Sequence, residues 1–200
     1  MNERESNRFL SAVQLIKNDY KSVLDVGCRD KALKGFLKKG VNYQGIDIED
    51  SQEVLGHNLE SGIPFPDKSF DATFALDVLE HVDNIHILLE EIIRVSKYEA
   101  VIALPNMSYW KFRLRFLKGV DISDKYVFCV NPCLDRHRWI TSYDSSINFI
   151  NHNAFNNHIT IVKEYYQYKS KLLRWLDRRL SKRWPNLFVH TIIFHIHKNK

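Results

Sequence analysis

Residues 22–30, Ser-Val-Leu-Asp-Val-Gly-Cys-Arg-Asp, decide the fold class of this chain. The apolar run that ends at Val26 predicts a short buried strand, and Gly27 predicts a tight turn after it. A glycine turn between a strand and a helix lets the backbone approach a ligand closely, and the next helix offers free N–H groups. The segment therefore indicates a ligand site at the end of the first strand.

A second strand ends in an acidic residue twenty positions after Gly27. Residues 43–47 predict this strand, and its last three residues are Gly45-Ile46-Asp47. A carboxylate at that point is well placed to accept hydrogen bonds from the two hydroxyls of an adenosine ribose. The simpler alternative is that Asp47 only caps a loop.

Strands and helices alternate along the chain up to residue 104. This alternation predicts a parallel sheet in an α/β fold that is Rossmann-like and doubly wound. The last predicted strand completes a seven-stranded mixed sheet as its antiparallel member. The predicted strands are 22–26, 43–47, 53–55, 70–76, 100–104, 159–166 and 188–196, and the predicted helices include 6–19, 31–39, 84–96, 109–117 and 170–183.

The composition is that of an ordinary globular protein. Hydrophobic residues make up 44% and charged residues 26% of the 200 residues, which fits one domain with a real core. No apolar run approaches the roughly 18 residues of a membrane span, and the first residues are polar. Three cysteines do not make a disulfide scaffold. We therefore predict a single-domain, cytoplasmic protein.

Positive charge is concentrated near the end of the chain. The net charge is +5, whereas residues 163–200 contain ten basic and two acidic residues. Residues 170–183 predict a basic amphipathic helix, and such a helix can contact an anionic membrane surface or nucleic acid. We favour a structural role in which its leucines pack on the sheet, and no nucleic-acid module is recognisable. Peripheral membrane contact through 170–183 stays open as the alternative.

Three segments carry a resemblance to a known family. Val23-Leu24-Asp25-Val26-Gly27-Cys28 resembles motif I of the class I S-adenosylmethionine-dependent methyltransferases, and Gly45-Ile46-Asp47-Ile48-Glu49-Asp50 resembles the end of their second strand. The stretch 63–82, IPFPDKSFDATFALDVLEHV, resembles their fourth strand and its approach. A looser similarity to type 11 and methionine-biosynthesis methyltransferases continues through 104–106 and 137–141. The resemblance implies methyl transfer from S-adenosylmethionine to a small-molecule acceptor.

The resemblance also divides the chain and assigns the cofactor site. It implies an N-terminal helix in 1–20, a cofactor-binding half in 21–105, an acceptor-side insertion in 106–155, and C-terminal strands with the basic helix in 156–200. Asp25 and Gly27 would shape the pocket for the methionine end, Asp47 would hold the ribose, and Ile48 would pack against adenine. The implied cofactor-binding residues are Asp25, Gly27, Cys28, Arg29, Asp47, Ile48, Asn58, Leu59, Leu76 and Asp77.

The chain departs from the family pattern directly after Gly27. The family usually has glycine where this chain has Arg29 and Lys31, and glycine readily adopts positive φ. These side chains could narrow the cofactor pocket; alternatively Arg29 turns outward or pairs with the cofactor carboxylate. The departure favours a second hypothesis, in which the chain is an accessory binding protein with an inactive methyltransferase fold.

The acceptor side is the least specified by the sequence. His81, Tyr109 and His137 are candidate catalytic bases, and Asn106, Arg113 and Arg138 are candidate substrate-binding residues. The arginines suggest an anionic or glycan-like acceptor, although they equally fit ordinary surface charges, and His81 equally fits the start of a helix.

Metal ligands are not predicted. The spacing of Cys129, Cys133 and His137 lacks a fourth ligand for a structural zinc site. His195 and His197 lie on the same side of the last strand, where we expect surface residues.

Overall fold

The computed structural model describes residues 3–16, 19–128, 130–131, 135–154, 156–164 and 170–199. Its strands are β1 (Ser22–Val26), β2 (Asn42–Asp47), β3 (Val54–Gly56), β4 (Phe70–Leu76), β5 (Ser96–Pro105), β6 (His158–Glu164) and β7 (Thr191–His197). Its α-helices are α1 (Glu3–Leu15), α2 (Ile85–Val95), α3 (Trp110–Leu117), α4 (Tyr143–Asn153), α5 (Lys171–Leu180) and α6 (Pro185–Phe188). Short 3₁₀ helices span Ala32–Phe36, Leu59–Ser61, Leu79–His81 and Asp124–Tyr126.

The strands form one seven-stranded sheet in the order β3-β2-β1-β4-β5-β7-β6. The pairs from β3 to β5 are parallel, and β7 runs antiparallel to both of its neighbours, β5 and β6. This arrangement confirms the predicted Rossmann-like, doubly wound mixed sheet with an antiparallel last strand. The strand order reverses at β1: in the sheet, β2 and β3 lie on one side of β1, and β4 lies on the other side.

Alternate residues of the central strands supply two separate apolar clusters, one on each face of the sheet. Leu24 and Val26 pack with Leu88 and Leu89 of α2. On the other face Val23 packs in the cluster that contains Ala12 and Ile16 from the N-terminal segment, together with Phe74 of β4. The period of two along β1 therefore fixes which helix covers which face.

Several predicted elements differ from the structure near their ends: the helix predicted at 6–19 is Glu3–Leu15, and the strand predicted at 100–104 begins at Ser96. The predicted helix 31–39 is only the 3₁₀ helix Ala32–Phe36, because Lys31 before it is left-handed and Gly35 within it favours helix weakly. The predicted strand 188–196 begins at Thr191 instead, because Pro185 opens the short helix α6.

The basic helix predicted at 170–183 is shorter in the structure, and fewer of its apolar side chains are buried than expected. Helix α5 spans Lys171–Leu180, and Leu172, Leu173 and Trp175 are exposed. The prediction that the leucines pack on the sheet is therefore wrong for Leu172 and Leu173. In the part of the chain that the structure describes, no helix has the length and apolar character needed to cross a membrane.

The expectation that His195 lies at the surface is also wrong. His195 is buried on β7, and its Nε2 atom lies 3.0 Å from Oε2 of Glu99 on β5. The Nδ1 atom of His197 lies 3.5 Å from Oε1 of the same carboxylate. The antiparallel register places Glu99 opposite His197 and Val101 opposite His195, which brings both imidazoles to this one buried acid.

Candidate active site

Gly27 forms the turn at the carboxyl edge of the sheet. Its φ is +67°, and its N–H donates to the carbonyl of Ile46 at 2.8 Å. A Cβ atom at this position would lie 2.6 Å from Cγ2 of Val78, so only glycine fits without displacing its neighbour. The turn therefore draws together the ends of β1, β2 and β4.

Asp47 is fixed beside this turn by backbone N–H groups. Its Oδ2 accepts from the N–H of Arg29 at 2.7 Å, and its Oδ1 accepts from the N–H of Ile48 at 2.7 Å. A carboxylate has about four lone-pair sites, so both oxygens retain capacity for ligand hydroxyls. The loop-capping contacts and a ribose-binding role are thus compatible in one side chain.

Arg29 and Lys31 keep the backbone shape that glycine would give. Their φ values are +46° and +60°, in the left-handed region. The Arg29 side chain is 79% exposed, with its guanidinium 3.5 Å from the carboxylate of Asp135. The Lys31 ammonium donates to the carbonyl of Gln52 at 2.9 Å. Of the orientations considered for the Arg29 side chain, the structure shows the one that points outward into solvent.

Asp25 and Cys28 form the buried wall behind the turn. The hydroxyl of Tyr43 donates to Oδ2 of Asp25 at 2.8 Å, and burial raises the pKa of that carboxyl to about 7. Burial and the neighbouring Asp25 raise the pKa of the Cys28 thiol to about 12. Gly45 leaves room for this thiol, because a Cβ there would lie 2.6 Å from Sγ. Cys28 is therefore a protonated packing residue.

The other implied cofactor residues have different surroundings. Ile48 is 53% exposed next to Asp47 and offers apolar surface. Asn58 caps the 3₁₀ helix Leu59–Ser61 by accepting from the N–H of Glu60 at 3.0 Å. Leu76 is buried at the end of β4.

Asp77 lies at the same edge and is contacted from the N-terminal helix. It has a φ of +58° and forms an ion pair with Arg8 of α1. Its other oxygen, Oδ1, is buried with no hydrogen-bond partner among the described residues. Helix α1 therefore closes over the end of β4, a contact that the sequence analysis did not find because 69 residues separate its partners.

Glu80, His81 and His137 come together at this edge, just after β4. The rings of His81 and His137 meet edge to face, with centroids 4.6 Å apart, and Oε1 of Glu80 lies 3.9 Å from Nε2 of His137. Burial raises the pKa of Glu80 to about 8 and lowers that of His137 to about 4. Burial also lowers the pKa of His81. Glu80 was not among the predicted site residues, although it adjoins His81 in the motif.

Two residues predicted for the acceptor side are structural. Tyr109 is fully buried, and its hydroxyl donates to Oδ2 of Asp177 at 2.8 Å. The Asn106 amide is also fully buried and donates to the carbonyls of Asn186 and Val189, at 2.9 and 2.7 Å. Neither side chain is exposed at a pocket mouth in the structure: Tyr109 connects to α5, and Asn106 connects to α6 and the residue that follows it.

The two predicted substrate arginines also have protein partners. Arg138 donates from Nε to the carbonyl of His81 at 2.9 Å and forms an ion pair with Asp83. Arg113 is exposed on α3 and donates from Nε to the carbonyl of Ser108 at 2.8 Å. Cys129 and Cys133, whose spacing with His137 raised the zinc alternative, lie outside the described residues.

A small cavity lies behind Glu80. Its volume is about 170 Å³, and most of its wall is apolar. Glu80, Thr141, Ser145 and Ser146 are among its lining residues, and the Ser146 hydroxyl is buried without a hydrogen-bond partner in the described part of the chain. The remaining lining residues include Leu79, Ile85, Leu104, Trp139, Ile140 and Phe149.

Comparison with known proteins identifies the family. The family model described as methionine biosynthesis protein MetW matches residues 7–196. The chain belongs to the MetW family. A crystal structure of an S-adenosylmethionine-dependent methyltransferase from Archaeoglobus fulgidus superposes on this MetW-family chain with a TM-score of 0.60 and 19% identity, covering 98% of this chain and 92% of that one. The fold is therefore that of the S-adenosylmethionine-dependent methyltransferases.

Two curated relatives match a smaller part of the MetW-family chain. The O-methyltransferase resE of Aspergillus sclerotiorum is 29% identical over 103 residues, which cover 42% of this chain and 39% of that protein. The bifunctional methionine biosynthesis protein MetXA/MetW of Rhodopirellula baltica is 30% identical over 112 residues, which cover 46% of this chain and 18% of that protein. The matches thus span less than half of either relative.

Proposed function

We propose that this MetW-family chain binds S-adenosylmethionine at the Gly27 turn and transfers its methyl group to a small-molecule acceptor on the Glu80–His81 side. The observation that carries the proposal is the adjacency of the Gly27 turn and the anchored Asp47 carboxylate. They lie at the carboxyl edge where the strand order reverses around β1, which is where open α/β sheets bind ligands.

Each part of the cofactor has a group that suits it. The Asp47 carboxylate accepts from the ribose hydroxyls, and exposed Ile48 packs against the adenine ring. Arg29 acts through its backbone N–H, which holds Asp47, while its side chain stays in solvent. Gly27, Cys28 and Asp25 shape the pocket for the methionine end, and Leu76 and Asp77 face the sulfonium. Asn58 and Leu59 border the adenine.

Methyl transfer from a sulfonium is an in-line displacement. The acceptor atom forms a bond to the methyl carbon as the carbon–sulfur bond breaks, and the electron pair of that bond stays on sulfur as S-adenosylhomocysteine. Catalysis therefore depends mainly on alignment in a site from which water is excluded. His81 and His137 have lowered pKa values and are neutral at pH 7, so each retains a lone pair toward the acceptor side.

The acceptor is proposed to be a small molecule, and its proposed negative charge rests on the arginines. Arg113 is exposed on α3, and its guanidinium donates to a backbone carbonyl, that of Ser108. Arg138 is occupied by Asp83 and the His81 carbonyl. The proposal of an anionic or glycan-like acceptor thus depends on Arg113 rather than on Arg113 and Arg138 together.

Calorimetric titration with S-adenosylhomocysteine tests the cofactor site. Asp47→Ala removes the ribose acceptor and should weaken binding about 10- to 100-fold, equivalent to about 1–3 kcal/mol. Asp47→Asn keeps one acceptor oxygen and should lie between Asp47→Ala and the wild type. Asp19→Ala, at an exposed residue paired with Lys38, is the matched control and should bind as the wild type does.

Three outcomes bear on the proposal. Arg29→Gly should bind within about threefold of the wild type, because the side chain points into solvent. Wild-type affinity in Asp47→Ala contradicts the assignment of Asp47. A wild-type chain that does not bind the cofactor fails the proposal and favours the accessory-protein hypothesis. Incubation of small-metabolite pools with methyl-labelled cofactor then tests transfer and identifies the acceptor.

A further inference from the structure

Glu80, His81 and His137 have the spacing of ligands around a single cation. Glu80 and His81 belong to the 3₁₀ helix after β4, and His137 comes from a segment more than fifty residues later. One ligand atom from each lies within 4.8 Å of the other two. Two ligands that share a metal at about 2.0–2.3 Å lie about 3–4.5 Å apart, so a small closure of the three groups accommodates an ion.

The hydrogen bonds of the two imidazoles leave one ring nitrogen of each with a lone pair. The Nδ1 atom of His81 lies 2.9 Å from the carbonyl of Arg136, which can only accept, so Nδ1 carries the proton and Nε2 has the lone pair. The Tyr126 hydroxyl donates to the carbonyl of Trp139 at 2.6 Å and therefore accepts from Nδ1 of His137, at 3.1 Å. A partner on the second ring nitrogen is the usual arrangement of metal-binding histidines.

Glu80 adds a buried carboxylate that lacks a partner. It is 1% exposed, and neither of its oxygens has a hydrogen-bond partner in the part of the chain that is described. The 3.9 Å between its Oε1 and Nε2 of His137 is too long for a hydrogen bond. The nearby cations are paired with other acids: Lys125 and Arg29 with Asp135, Arg8 with Asp77, and Arg138 with Asp83.

We propose that Glu80, His81 and His137 bind one divalent transition-metal cation, of the kind that takes mixed nitrogen and oxygen ligands, such as Zn²⁺. Two imidazoles and one carboxylate suit zinc, cobalt, iron or manganese better than magnesium or calcium. A cation between the three groups compensates the buried carboxylate and occupies both lone pairs. Tyr126 is a positioning residue, because it orients His137 without touching the ion.

Three protein ligands leave at least one coordination position open. An oxygen of the acceptor would take that position and be held there for methyl transfer. This extension rests on the proposed methyltransferase function, and in it the imidazoles are ligands rather than bases. Binding of the cation itself does not depend on the cofactor.

A second cluster in the described residues provides the contrast. Glu99, His195 and His197 also lie within 4.8 Å of one another. There, however, Nε2 of His195 is at hydrogen-bond distance from the Glu99 carboxylate, and His197 contacts its other oxygen. This carboxylate is satisfied by the two imidazoles, so His197→Ala is a control that removes a histidine from a similar cluster outside the proposed site.

Metal titration of the chelator-treated full chain tests the proposal. Zn²⁺ is titrated by calorimetry, and Co²⁺ binding is followed by its visible absorption. We expect one tight site per chain, with no thiolate-to-cobalt charge-transfer band. Glu80→Gln and His137→Ala should each weaken binding more than about 100-fold, and Tyr126→Phe should weaken it about 10-fold. His197→Ala should retain the wild-type affinity.

The outcomes that overturn the proposal are distinct from a failure of the cofactor site. Glu80→Gln keeps the side-chain shape and replaces a buried ionisable group with a neutral amide, so it should fold, and it should bind S-adenosylhomocysteine with wild-type affinity. The proposal is wrong if the wild type binds neither Zn²⁺ nor Co²⁺, or if a thiolate band shows that a cysteine holds the cobalt. Unchanged zinc affinity in Glu80→Gln, or loss of the site in His197→Ala, also overturns it.

Discussion

Asp25 and Glu80 are both buried carboxylic acids at the carboxyl edge of the sheet, but their surroundings are built differently. Asp25 on β1 accepts a hydrogen bond from Tyr43 on the adjacent strand β2. Glu80 follows β4, and its neighbour His137 arrives from a distant segment without a hydrogen bond to it. The edge around β1 is thus completed by neighbouring strands, whereas the edge after β4 depends on long-range contacts, and there the Glu80 carboxyl has no hydrogen-bond partner among the described residues.

The largest expected effect concerns the pH dependence at Asp25. Its pKa is raised from 3.8 to about 7 in the folded chain, so the folded state binds this proton more tightly than the unfolded state. The contribution of Asp25 to the free energy of unfolding should therefore fall as the pH rises from about 4 to about 7, by about 4 kcal/mol at most, and level off above that range. Denaturant unfolding at several pH values measures it.

Asp25→Asn isolates this contribution. The amide keeps an oxygen for Tyr43 and does not ionise, so the variant should lose the Asp25 part of the pH dependence and gain stability relative to the wild type above pH 7. Glu80 titrates with the same sign, to about 8, in both proteins and cancels in the comparison. A difference between the two proteins that is constant from pH 4 to 8 would show that Asp25 does not carry the shift.

The second-largest expected effect tests how strictly the turn after β1 requires glycine at position 27. Gly27→Ala puts a Cβ 2.6 Å from Val78 at a positive φ, whereas Gly40→Ala has a positive φ of +85° and no described atom within 4 Å. Both should lose about 1–2 kcal/mol from the left-handed conformation, and Gly27→Ala about 1–3 kcal/mol more from the clash. Equal losses of unfolding free energy in the two variants, measured by thermal unfolding, would mean that the Gly27 turn moves to relieve the clash.

The smallest expected effect tests whether the cofactor site around Gly27 and the segment around Glu80 and His137 are independent of each other. Trp139 donates from Nε1 to the carbonyl of Val82 at 2.7 Å, which joins the acceptor segment to the 3₁₀ helix after β4. Trp139→Phe should cost about 1 kcal/mol and speed hydrogen exchange around residues 135–141, while S-adenosylhomocysteine affinity stays unchanged. Trp175→Phe, at an exposed position on α5, is the control. A parallel loss of cofactor affinity would show that the sides are coupled.

The sequence predicted the sheet well because its signals are local. The apolar runs of β1 and β4, and the Gly27 turn, are read directly from neighbouring residues, and all three occur as predicted. Arg29 and Lys31 show the limit of such reasoning. Their residue types do not favour a left-handed backbone, yet the Asp47 carboxylate holds the N–H of Arg29 and the surrounding turn imposes the conformation.

The acceptor side was predicted less well, for a related reason. Tyr109 and Asn106 follow β5 as a substrate-binding residue would, but their partners Asp177, Asn186 and Val189 lie about seventy or more residues later. Nothing in the local pattern distinguishes a buried anchor from an exposed catalytic group. Arg8 and Asp77, which pair across the end of β4, present the same difficulty.

The sequence by itself determined the order of strands and helices, the turn at Gly27 and the acidic end of β2, because each depends on the periodicity and backbone freedom of adjacent residues. Only the tertiary structure decided which polar side chains are exposed and which are buried and hold distant segments together. It also decided that Glu80 and His81 meet His137. Those properties depend on the packing of segments that are distant in the chain, and burial changes the charge state and available partners of every group that it encloses.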